Sequence, residues 1–127
     1  MNKTIFLTAC VLGLLAVVLG AFGAHGLQNL VDGKAVTSFE TGVRYQMYHV
    51  FLLFVLGLLP GLTIRVKRTV FYLVIAGIAL FSFSIYLLAI NSLFDFDFKV
   101  IAFITPIGGA LLIAAWALLG YTMYKAK

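Results

Sequence analysis

Residues 69–90 read TVFYLVIAGIALFSFSIYLLAI, with no Lys, Arg, Asp or Glu anywhere in the run. A helix needs about 20 predominantly apolar residues to cross the hydrocarbon core of a bilayer, and this segment supplies them. Arg65, Lys67 and Arg68 stand just before it, and Asp95 and Asp97 follow shortly after. Working outward, three more stretches reach the same length: 4–24, 42–62 and 100–124. Only the second of these holds a charge, Arg44, near its start. The expected fold is therefore an all-α membrane protein, a four-helix transmembrane bundle forming a single domain over residues 1–127.

Composition agrees. The chain is 64% hydrophobic and 10% charged, with a mean hydropathy of +1.15, whereas a soluble domain carries about 25% charged residues. A soluble enzyme, a disordered linker and an ordinary nucleic-acid-binding domain are excluded on these grounds. The net charge of +5 is spread through short connectors, so it reads as a topology signal and gives no footprint for nucleic acid. One cysteine, Cys10, rules out an intramolecular disulfide and a Cys₄ or Cys₂His₂ zinc site. No internal repeat links the second pair of spans to the first.

Direction follows from the basic residues. Lys3, Arg65, Lys67, Arg68, Lys125 and Lys127 fall on one side of a four-span chain, and Lys34, Arg44 and Lys99 on the other. The larger group marks the cytoplasm, which places both termini inside a bacterial plasma (inner) membrane and turns the connectors 25–41 and 91–99 outward. In the first of these, Leu27, Leu30 and Val31 lie at helical spacing and suggest a short interfacial helix. Asp32-Gly33-Lys34 reads as a turn. Thr37 and Glu40 have capping-box spacing for the second helix, and Glu40 and Arg44 stand four apart in the favourable order.

The polar residues are unevenly placed. His25 ends the first span; Arg44, Tyr45, Gln46, Tyr48 and His49 crowd the outer start of the second; Ser82, Ser84 and Tyr86 occupy the outward end of the third; Thr105 opens the fourth. At about 1.5 Å rise per residue, His49, Ser82, Ser84 and Thr105 lie roughly 7–12 Å inside the outer boundary. Polar groups facing lipid are costly, so these residues are expected to turn inward and meet. The rows Ala16, Gly20, Ala24 and Ala110, Ala114 allow close helix approach. Pro106, with Gly108 and Gly109 behind it, suggests a kink in the fourth span that opens a pocket wall beside Thr105.

Sharper chemistry finds little support. His25 and His49 differ by about two turns in depth and have no thiolate or carboxylate to join them as metal or haem ligands. Ser82 or Ser84 with His49 lacks an acid to orient the imidazole. The glycines around His25 follow a membrane helix and lack the lysine of a phosphate loop. No catalytic residue, cofactor or metal is expected.

The blocks Gly20-Ala21-Phe22-Gly23-Ala24-His25-Gly26-Leu27, Thr41-Gly42-Val43-Arg44-Tyr45-Gln46-Met47-Tyr48-His49, Phe81-Ser82-Phe83-Ser84-Ile85-Tyr86 and Thr105-Pro106-Ile107-Gly108-Gly109, with Trp116, resemble the YgdD/YwdK-like family. These are small bacterial membrane proteins classed as a domain of unknown function, with short eukaryotic transmembrane relatives. The resemblance covers nearly the whole chain; one departure is Phe83, where the family pattern has glycine. It implies a four-helix membrane protein and no activity, substrate or cofactor.

The functional expectation is a non-enzymatic multi-pass membrane protein, a structural or partner-docking component whose polar cluster fixes the helices. The alternative is binding or transport of a small molecule or lipid at that cluster. The partners expected are the lipid bilayer and another membrane protein or a second copy of the chain, with no nucleic acid.

Overall fold

The computed structural model describes residues 1–126; Lys127, one of the basic residues at the C-terminus, lies outside them. Four long helices make up the fold: α1 (Asn2–His25), α2 (Gly33–Leu58), α3 (Ile64–Ala89) and α4 (Ile104–Lys125). No strand occurs among the described residues. Three stretches, Asn2–His25, Ile64–Ala89 and Phe98–Lys125, are long and apolar enough to cross a membrane. α2 is as long as these, but its first half carries most of the polar side chains.

Local chemistry sets both ends of α2 and the start of α3. The Asp32 carboxylate accepts the Ala35 N–H at 2.8 Å and starts α2. This overturns the capping box at Thr37 and Glu40, because helix already surrounds Thr37, whose hydroxyl donates to the Gly33 carbonyl at 3.0 Å. Arg44 donates to the Thr41 hydroxyl at 3.2 Å, an alternative to the i, i+4 partner Glu40. Pro60 ends α2 by forcing Leu59 into extended backbone (ψ 123°), and Gly61 turns the chain at φ 80°. Thr63 then caps α3 through the Val66 N–H at 3.2 Å. The first connector holds one 3₁₀ turn, Leu27–Asn29, and Leu27 is fully buried among Phe39, Tyr86 and Ala89. Gln28, Asn29 and Leu30, which follow it, are exposed.

Successive helices run antiparallel. Gly57 faces Phe6, Gly13 faces Val50 and Gly23 faces Phe39 along the α1–α2 seam. Gly42 faces Tyr86 between α2 and α3, and Gly77 faces Leu112 between α3 and α4. The two termini and the 59–63 connector therefore share one end, here called proximal, and the connectors 26–32 and 90–103 share the distal end. One apolar core runs through the proximal half, built on Ile5, Leu53, Leu56, Val70, Val74 and Ala115. Outside it, α1 and α4 turn large apolar side chains outward, among them Leu14, 64% exposed, and Ile113, 71% exposed. A perimeter of that kind suits lipid. Cys10 is part of it.

Lys67 has a different role from its neighbours Arg65 and Arg68. It is buried, and its ammonium donates to Asn2 Oδ1 at 3.0 Å and to the Leu59 carbonyl at 3.5 Å. It clips the start of α1 to the end of α2. In the 90–103 connector, Asn91 accepts the Phe98 N–H at 2.6 Å and donates to Asp97 at 3.1 Å. The Lys99 backbone N–H, and then the Asn91 amide, hold the Asp97 carboxyl below the usual carboxylate range.

The distortion expected in the fourth span lies in the third. Pro106 falls in the first turn of α4, where its missing N–H has no intrahelical acceptor to lose. Instead, α3 widens into a π-turn at Ala79–Phe83. Gly108 packs against this turn: a Cβ there would meet the Phe81 nitrogen and lie 2.6 Å from the Leu80 carbonyl carbon. The small-residue row at Ala110 and Ala114 is exposed, so the closest approach of α4 is through Gly108. On α1, Ala16 is buried and Gly20 faces Val43, while Ala24 is exposed. Gly108→Ala should cost about 1–3 kcal/mol by overpacking against backbone, read as a lowered melting point in detergent. Gly120→Ala, inside the same helix with nothing within 4 Å of its Cβ, should not lower the melting point.

Candidate functional site

Where α1, α2 and α3 converge, one side chain touches all three. Gln46 on α2 is fully buried. Its Nε2 donates to the Leu12 carbonyl of α1 at 2.7 Å, and its Oε1 accepts the Tyr86 hydroxyl of α3 at 2.6 Å. Gly42, one turn earlier on α2, leaves room for the Tyr86 ring, since a Cβ there would stand 2.7 Å from Tyr86 Cε1. The Gly42 carbonyl accepts the Ser82 hydroxyl at 2.8 Å. Two hydrogen bonds thus join α2 to α3, and a third joins α2 to α1.

Ser84 fastens the next seam. Its hydroxyl proton is shared between the Leu80 and Phe81 carbonyls, at 2.6 and 2.9 Å, both in the π-turn. Its oxygen lies 2.6 Å from Thr105 Oγ1 on α4. A single serine proton directed at the carbonyls leaves the Thr105 hydroxyl as the donor across the interface.

His49 carries the last link. A carbonyl can only accept, so Nδ1–H donates to Tyr45 O at 2.6 Å; an indole N–H can only donate, so Nε2 accepts from Trp116 Nε1 at 3.0 Å. These bonds assign the neutral Nδ1–H tautomer, because an imidazolium would turn a donor toward the Trp116 donor. Beside this pair lies a cavity of about 350 Å³, lined by Tyr45, His49, Phe81, Gly109, Leu112 and Trp116 among others.

Of the sequence-selected residues, Gln46, His49, Ser82, Ser84, Tyr86 and Thr105 therefore enter one seam. Tyr45 contributes its carbonyl and packs its ring, tilted by 39°, against that of Phe81 at 5.1 Å. Tyr48 and Arg44 are exposed, and His25 is exposed at the end of α1 away from the others. Phe83 packs its ring 5.8 Å from that of Tyr86, filling space that a glycine would leave. Sequence reasoning missed Trp116 as a seam member. The signal was available: a lone tryptophan within a span has an N–H that seeks an acceptor. It also missed the carbonyls of Leu12 and Gly42, which no residue identity announces. Among the described residues no three of His, Cys, Asp and Glu come together in a way that could hold a metal ion.

The fold and the seam define a helical membrane protein whose buried polar groups bond to one another. Comparison with known proteins places it further. A family described as "Protein of unknown function (DUF423)" matches residues 19–109, and the chain belongs to that family. It is 37% identical over 123 residues to UPF0382 membrane protein SSP2132 of Staphylococcus saprophyticus, covering 97% of this chain and 98% of the relative. It is 38% identical over 119 residues to UPF0382 membrane protein YwdK of Bacillus subtilis, covering 92% and 93%. A UPF0382 membrane protein of Haemophilus influenzae is 37% identical over 126 residues, covering 99% and 97%. No solved structure matches.

The Gln46 bridge makes a quantitative demand. In a double-mutant cycle of Gln46→Ala and Tyr86→Phe, unfolding in detergent should give a coupling of about 0.6–1.7 kcal/mol, from the average to the largest value found for hydrogen bonds between membrane helices. Additive losses would mean that the two groups do not bond.

Proposed function

We propose that this chain is a non-enzymatic, multi-pass component of the bacterial plasma membrane. All four helices cross as a single transmembrane bundle, both termini are cytoplasmic, and the polar seam occupies the outer half. The seam fixes the helices so that the molecule offers another membrane protein, or a second copy of itself, a rigid surface to dock on.

The observation that carries this reading is satisfaction. Among the described residues, no buried side-chain nitrogen or oxygen lacks a hydrogen-bond partner. A catalytic or transport site would hold polar groups in reserve for a ligand; here Gln46, Ser82, Ser84, Tyr86 and His49 spend theirs on neighbouring helices and local carbonyls. For the crossing of α2, its 26 residues span about 39 Å, against a hydrocarbon core of about 30 Å. The helix also packs against α1 and α3 along its length. The excess of basic residues at the proximal end supports the orientation. The alternative, a small-molecule or lipid site at the seam, draws its support from the 350 Å³ cavity beside Trp116.

Topology and role are tested together in a Cys10→Ser background. A cysteine introduced at Val66 should react with a membrane-impermeant maleimide only after cells are opened, and one at Gln28 should react in intact cells. Labelling at Val66 in intact cells would contradict the orientation. His49→Ala should lower the melting point in detergent, and an unchanged melting point would contradict the fastening role.

A further inference from the structure

Away from the seam's internal bonds, the distal end holds a larger cavity than the one beside Trp116. It has a volume of about 600 Å³ and lies between the first turn of α2, the last turns of α3 and the approach to α4. Lys34, Ser38, Lys99 and Asp32 form its polar wall, and Ile85, Leu88 and Ala102 its apolar one. A second hollow of about 300 Å³ shares Asp32, Leu88 and Lys99 with it and extends to Asn91 and Ser92. Together they make one amphipathic cleft, and its larger part falls in the range of small-ligand sites, about 300–1,000 Å³.

The charges in the cleft do not balance. Two lysines and one aspartate line it, and that carboxylate is engaged in capping Ala35. Of the two acids in the neighbouring 90–103 connector, Asp97 is held by the Lys99 backbone N–H and the Asn91 amide, and Asp95 is not part of the cleft lining. Lys34 sits in the first turn of α2, where the helix end is itself positive and a cation is disfavoured. The sequence therefore collects positive charge in a concave, half-apolar site where three helices leave the membrane. Such a site suits an anion carrying an apolar body, with the charge at headgroup level and the body against Ile85 and Leu88.

We propose that this cleft binds a phosphate-bearing amphiphile, with Lys34 and Lys99 as the phosphate ligands and Ser38 as a hydroxyl donor. The proposal rests on these helices lying in a bilayer. It does not depend on which face is outside or on the fastening role of the seam.

The test uses the full chain in nanodiscs of phosphatidylcholine doped with phosphatidylglycerol, with retained lipid counted by native mass spectrometry. Phosphatidylglycerol should be retained in preference to phosphatidylcholine. Lys34→Gln and Lys99→Gln should each reduce that preference about fivefold, the loss expected for one basic group at an anionic surface. Lys3→Gln with Arg65→Gln, at the opposite end, should leave it intact. Added glycerol 1-phosphate distinguishes the source. Displacement of the lipid supports a site for the phosphate ester itself, and retention supports one that also requires the tail. Equal retention of the two lipids, or an unchanged preference in the Lys34→Gln/Lys99→Gln variant, overturns the proposal. Because melting and topology do not enter this readout, its failure leaves the proposed architecture standing and the failure of that architecture is seen separately.

Discussion

The Gln46 amide, bonded at one end to the α1 backbone and at the other to the Tyr86 hydroxyl of α3, sets the register of three helices at once. Apolar contact alone could not do this in a bilayer, because lipid tails are as apolar as leucine and sliding one helix along another costs little. A buried amide is different. If either helix slips by a residue, a donor or acceptor loses its partner with no water to replace it, at about 1–3 kcal/mol. The large core of Ile5, Leu53, Val70 and their neighbours packs beside this bonded seam.

The same constraint explains the irregular part of the fold. α4 lies against the α3 backbone at Gly108, and the α3 residues it meets, Leu80 and Phe81, belong to the π-turn at Ala79–Phe83. A π-turn displaces carbonyls from their usual i+4 donors, and Ser84 supplies a hydroxyl proton to two of them while receiving Thr105 from α4. Close approach, altered backbone and the serine that repairs it form one unit. His49 and Trp116 extend the same logic between α2 and α4.

The four long helices, and the polar residues that would need partners, were legible in the sequence, because both rest on residue identity. The partners were less so. Gln46, Ser82 and Ser84 bond to backbone carbonyls of Leu12, Gly42, Leu80 and Phe81, and a carbonyl has no letter in the sequence. Two local signals pointed the wrong way for physical reasons. Thr37 had the spacing of a cap, but Asp32 already caps the helix a turn earlier. Pro106 looked like a kink, yet in a first turn proline costs a helix nothing. Lys67 read only as an orientation charge, and its burial against Asn2 depends on bringing together residues far apart in the chain.

The most direct measurement is through-space transfer by magic-angle-spinning NMR in lipid bilayers, from the Gln46 side-chain nitrogen to the Leu12 carbonyl carbon. A clear cross-peak, together with a Gln46 amide protected from deuterium exchange, is the expected result. No transfer and a rapidly exchanging amide would contradict the account, since the side chain would then be solvated and the helices aligned by something else.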